Sequence, residues 1–174
     1  MTNTKALEVY RYHLEPGGLF TRGEPAMISA VLGTCVAVCL HDRRLKIGGM
    51  NHFLYPKTRM FGPTTAQYGD VSIPALIKML RKQGSRLEDL EAQIFGGGEA
   101  PGSLGMGGDK TGYRNIQMAR RILKKNGIRV VSEDVGGLKG RRLIFHTGTN
   151  EALVMKTHRI RRGDFYPYRQ RIGA

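Results

Sequence analysis

Cys35 and His52 are the two side chains of this chain whose types and spacing suit covalent chemistry. Cys35 follows Gly33 and Thr34 at the entry to an apolar run, and His52 lies 17 residues further on, past a polar turn over 41–46. If the runs flanking that turn pair as a regular antiparallel hairpin, Cys35 stands opposite His52, with Cβ atoms about 4.5–5.5 Å apart. A thiol at that range from an imidazole can give up its proton and attack a carbonyl carbon. On these residues alone the bland alternative stays open, because a free cysteine is most often a small buried hydrophobe. Cys39, deeper in the same run, reads as core.

The elements that must position this pair follow from periodicity. From Val31 to Leu40 the chain alternates Val36, Val38 and Leu40 with Cys35, Ala37 and Cys39, which predicts a strand buried on both faces. Ile47 to Tyr55 is a second strand, weakened at its start by Gly48 and Gly49 and ended by Pro56. Residues 73–83 place Ile73, Leu76, Ile77 and Leu80 at helical spacing, with Gly84 as the stop, and Pro74 fits only in the first turn of such a helix. Residues 114–126 repeat the pattern through Ile116, Ala119, Ile122 and Leu123, closed by Gly127. Further strands are predicted at 92–96, 128–134, 142–146 and 152–156. The expectation is a mixed α/β fold, with at least two helices against strands paired mostly as local hairpins.

Composition narrows the function classes. The 174 residues are 40% hydrophobic, enough for one domain with a core. The longest mostly apolar stretch, Met27 to Leu40, is about 14 residues and carries Ser29 and Thr34, short of the ~18–20 needed to cross a bilayer. The N-terminus has no basic start followed by an apolar block, so a cytoplasmic protein without membrane insertion is expected. On one strand Cys35 and Cys39 would lie about 13 Å apart at Cα, too far for a disulfide. Cys35, Cys39, His41 and His52 show no zinc spacing. His13, His146 and His158 stand among polar neighbours and read as surface or turn residues. The glycine-rich stretch from Gly96 to Gly112 suggests a phosphate cradle, but Asp109 between Gly108 and Lys110 breaks the P-loop spacing, and a plain loop is expected. The net charge is +14, and residues 101–174 carry +11 of it. Such a field favours acidic partners.

A longer pattern surrounds the pair. It comprises Gly33, Thr34, Cys35, Val36, Ala37 and Val38, then Gly48, Gly49, Met50, Asn51, His52, Phe53, Leu54, Tyr55 and Pro56. It continues from Tyr68 to Leu80, through Ile94, Phe95, Gly96 and Gly97, and through Gly112, Arg114 and Asn115. It closes with Glu133, Asp134, Val135, Gly136 and Gly137, then Gly140, Arg141 and Arg142. In these residues and their order the chain resembles the CheD family, the chemoreceptor glutamine deamidases. The resemblance implies a single α/β domain with packed β-sheet layers flanked by helices, similar to the deamidase core of cytotoxic necrotizing factor. That domain covers 1–157, and 158–174 form a basic tail beyond the family motifs.

The resemblance also implies an activity. Family members convert glutamine side chains on the cytoplasmic helices of methyl-accepting chemoreceptors to glutamate, and some remove receptor methyl esters. The family's cysteine falls on Cys35 and its histidine on His52. Its third residue, a threonine, falls on Ser29, which keeps a hydroxyl without the methyl that stiffens the rotamer. The position before the cysteine, usually serine, is Thr34. Backbone N–H groups around Thr34 and Cys35 are the natural oxyanion donors, since Gly33 allows close approach. No metal or organic cofactor is required, and a CheC-type phosphatase is an implied partner. Two competing readings remain. One is a non-catalytic regulatory partner of such a phosphatase. The other is a basic nucleic-acid-binding module, although no RNP-type, helix-turn-helix or zinc-ligand pattern supports it.

Overall fold

The central strand β4 (Val36–Asp42) is buried along its whole length because its two faces feed two different cores. On one face Val36, Val38 and Leu40 pack with Ile73, Leu76, Leu80 and Ile116; on the other, Ala37 and Cys39 pack with Ile28, Leu32, Leu143 and Phe145. Each fully buried Leu, Ile or Phe contributes about 1.5–3 kcal/mol, so this double-faced strand is where the layers are joined.

The computed structural model describes residues 9–99, 108 and 110–157. The predicted basic tail 158–174, His158 and Asp109 lie outside the described residues. The remaining elements are β1 (Tyr10–His13), β2 (Leu19–Arg22), β3 (Ala26–Leu32), β5 (Ile47–Asn51), α1 (Gly69–Lys82), β6 (Leu90–Gly96), α2 (Thr111–Lys125), β7 (Arg129–Val135), β8 (Gly140–His146) and β9 (Ala152–Thr157). They form a five-stranded sheet, β2-β5-β4-β6-β7, and a four-stranded sheet, β1-β3-β8-β9. The helices cover one side of the five-stranded sheet and the four-stranded sheet covers the other, giving a single α/β domain in three layers.

Several expectations change. The predicted strand over 31–40 is two strands, because Gly33, Thr34 and Cys35 form the connection by which the chain leaves one sheet for the other. Local hairpins are not the rule: β1 pairs with β3 and β6 with β7 in parallel, while β3 pairs with the distant β8. Helix α1 starts a turn earlier than predicted, so Pro74 lies beyond its first turn.

The β4–β5 hairpin forms, but out of the expected phase. Asp42 pairs with Ile47, and the Asp42 side chain accepts hydrogen bonds from the backbone N–H of Arg44 and Leu45, which tightens the turn to Arg43–Lys46. The ladder then pairs Val36 with Phe53, so Cys35 is opposed to Leu54 and not to His52. The slip is two residues, which preserves the alternation of faces. Cys35 and His52 flank the Val36–Phe53 pair in sequence, and among the described residues no hydrogen bond joins the Cys35 thiol to His52 Nε2.

Candidate active site

His52 is held by an edge of the fold that ordinary pairing would not produce. Asn51 turns its side-chain oxygen onto the Val38 N–H at 2.7 Å, interrupting the β4–β5 ladder. The His52 backbone bonds instead to the turn after β1, accepting from Gly17 N–H at 2.6 Å and donating to the Gly18 carbonyl at 3.1 Å. Its ring is 1% exposed, with Nδ1 3.2 Å from the Leu14 carbonyl. A carbonyl only accepts, so Nδ1 carries the proton and Nε2 presents a lone pair. That Nε2 is buried and has no hydrogen-bond partner among the described residues.

Cys35 is partly exposed. Its carbonyl accepts from Gly97 N–H at 2.8 Å, and the Gly33 carbonyl accepts from Gly98 N–H at 2.8 Å. The start of the glycine-rich stretch is therefore clamped onto the cysteine connection. Gly96 has φ +103°, and a Cβ there would strike the Cys35 carbonyl oxygen, so only glycine fits. The clamp is backed from behind: Gly136 N–H donates to the Gly96 carbonyl at 2.9 Å, and the buried Arg141 guanidinium donates to the Gly136 carbonyl and to Asp134.

The other two predicted site residues have different fates. Thr34 lies in the connection, its carbonyl held by Asn115 Nδ2 at 3.0 Å. Among the described residues, neither the Thr34 nor the Cys35 N–H donates to a backbone carbonyl, and the Cys35 N–H lies within hydrogen-bond reach of its own sulfur. Ser29 does not reach His52. It alternates in β3 with the buried Ile28 and Ala30, so it looks out from the opposite face, and its hydroxyl lies 3.1 Å from His13 Nδ1. The partner of His52 Nδ1 is the Leu14 carbonyl and not that hydroxyl. Ser29 acts there only through its main chain, its carbonyl accepting from the Leu14 N–H at 2.8 Å.

Burial sets the electrostatics. Loss of water pushes the Cys35 thiol up to about 11, its own backbone N–H only partly opposing this. Burial lowers His52 to about 4 against the hydrogen bond it donates to the Leu14 carbonyl, with His13 lowering it further. Both shifts disfavour charge. Burial thus favours the uncharged thiol and the neutral imidazole over the ion pair that the spacing suggests. Such an imidazole can serve as a general base during attack. Among the described residues no cluster of His, Cys, Asp or Glu could hold a metal ion.

The family model described as CheD chemotactic sensory transduction matches residues 56–156. A relative from Anaeromyxobacter dehalogenans, named probable chemoreceptor glutamine deamidase CheD 1, is 41% identical over 142 residues, 82% of each chain. The chain belongs to the CheD family. Proteins named probable chemoreceptor glutamine deamidase CheD from Rhodospirillum rubrum and Sulfurimonas denitrificans are 40% and 33% identical, over 81% and 85% of this chain and 79% and 95% of their own. The family-model match begins after His52, so in this CheD chain Cys35 and His52 stand on their own geometry.

Two further residues touch this candidate site without a role assigned to them from the sequence, although Asn115 stands in the family pattern. Leu14 acts through a carbonyl, which every residue has, so no signal could have found it. Asn115 left a trace: it is a polar residue on the apolar stripe that runs through Ile116, Ala119 and Leu123.

Proposed function

We propose that this chain deamidates glutamine side chains on the cytoplasmic helices of a chemoreceptor, with Cys35 as nucleophile and neutral His52 as its base. The observation that carries the mechanism is the His52 ring, whose Nδ1–H is tied to the Leu14 carbonyl and whose buried Nε2 has no partner among the described residues. As Cys35 Sγ attacks the amide carbon, its proton passes to Nε2, and the oxyanion is received by the Thr34 and Cys35 N–H groups. The C–N bond breaks as Nε2 returns the proton to the departing ammonia, leaving a thioester. Nε2 then takes a proton from water as the new hydroxyl bonds to the carbonyl carbon, and the C–S bond breaks as Nε2 returns that proton to sulfur, giving the carboxyl group of glutamate and the free thiol. The same sequence applied to a glutamate methyl ester releases methanol.

The reading extends to a cytoplasmic setting, a core like that of cytotoxic necrotizing factor, and a CheC-type phosphatase as regulatory partner. Among the described residues no helix is long and apolar enough to cross a membrane. The net charge of +14 suits encounter with acidic helices, an attraction that salt screens. Mass spectrometry of receptor cytoplasmic fragments incubated with wild type and with Cys35→Ala tests the proposal. Amide-to-acid conversion by wild type alone, with kcat/KM falling as salt rises, is the expected result. Equal conversion by the two proteins, or none by either, refutes it.

A further inference from the structure

Asn115 is fully buried in α2, on the stripe it shares with Gly112, Ile116 and Ala119. An amide in that position costs free energy unless its polar atoms find partners. Its Nδ2 donates both hydrogens, one to the Thr34 carbonyl at 3.0 Å and one to the Leu54 carbonyl at 2.8 Å, while Oδ1 is buried without a partner among the described residues. One nitrogen therefore joins the peptide ahead of the nucleophile to a residue two places beyond His52. Gly112 makes the reach possible, because a Cβ there would collide with the carbonyls of Gly97 and Gly98, the loop clamped onto Cys35.

The Thr34 carbonyl and the Cys35 N–H belong to one peptide plane and, in a trans peptide, point in opposite directions. Holding the carbonyl toward α2 aims the N–H away from the helix. A hydrogen bond at the oxygen also polarises the peptide and makes its N–H a stronger donor. Among the described residues this N–H donates to no backbone carbonyl.

We infer that Asn115 is a positioning residue for the reaction, fixing the Thr34–Cys35 peptide plane so that the Cys35 N–H receives the oxyanion. The inference rests on the deamidase reading above. Leucine matches the shape of asparagine without its donors, and aspartate matches it with one donor at most.

The experiment follows conversion of receptor fragments by wild type, Asn115→Leu and Asn115→Asp, alongside alkylation of Cys35 by iodoacetamide. Alkylation attacks a saturated carbon and develops no oxyanion, so a role in holding the oxyanion donor leaves it unchanged. The expected result is a fall in kcat of about 10- to 100-fold, below the 10²–10³ for outright loss of an oxyanion donor. KM, the alkylation rate and the cooperative melt should hold. If Asn115→Leu does not fold, Asn115→Asp decides. Unchanged kcat, kcat and alkylation falling together, or failure of both variants to fold each overturns the inference. Wild type that leaves the amides untouched overturns the deamidase reading and this inference with it, whereas wild-type turnover with unaffected variants overturns only the latter.

Discussion

The resting charge of Cys35 can be read directly from its alkylation as pH is varied. Burial holds the thiol at about 11 against an ordinary 9.0. Two units reduce the thiolate fraction at neutral pH about 100-fold. A more basic thiolate is the better nucleophile, and a Brønsted slope of about 0.4–0.5 returns roughly eightfold of that loss. Cys35 should therefore react with iodoacetamide about tenfold more slowly than an unperturbed peptide thiol near pH 7.5, before any steric effect. Its rate should climb about tenfold per pH unit, with no plateau below pH ~9. Peptide mass spectrometry after timed quenching separates Cys35 from the fully buried Cys39, which should stay unlabelled in the folded chain. His52→Gln should barely move the profile, since no imidazolium holds the thiolate at rest. Rapid labelling at pH 5–6 that disappears in His52→Gln would show a pre-formed ion pair and refute the reasoning.

Two other outcomes follow from the same geometry. His52 is held near 4 in the folded chain against 6.5 in the open, so the unfolded chain takes up the proton first. The stability contributed by keeping the ring neutral is present above pH 6.5 and is lost as pH falls toward 4, about 3 kcal/mol in all; denaturant melts at stepped pH should show the slope, and His52→Gln should flatten it. Gly96→Ala should lower stability by roughly 2–4 kcal/mol, through its φ of +103° and the clash with the Cys35 carbonyl, and should abolish deamidation; a variant with wild-type melting and turnover counts against the clamp.

The sequence made some of this legible and left the rest dark for identifiable reasons. The two-faced alternation around Val38 announced a central strand, and the helical stripes of Ile73–Leu80 and Ile116–Leu123 announced the layer above it. The register was not readable, since it depends on a side-chain bond made by Asp42 inside the turn. Nor was the break at Gly33, where two runs of similar composition belong to different sheets. The parallel partnership of β1 with β3 leaves no local mark, and it is this pairing that brings Leu14 beside His52. The neutral state of the thiol and imidazole is a property of burial, which spacing alone does not report.

The turn Arg43–Lys46 is far from the chemistry yet acts as its ruler. Inserting one residue would invert every side chain of β5 and drive Met50 out of the core between the sheets into the face where Gly49 lies tight against Leu76, a change the packing would reject. Inserting two would leave the packing code intact and slide the imidazole about 7 Å along the neighbouring strand. Loop length at this hairpin is thus under a constraint that folding does not impose, and grafting the site onto another scaffold means copying a distant loop along with the nucleophile.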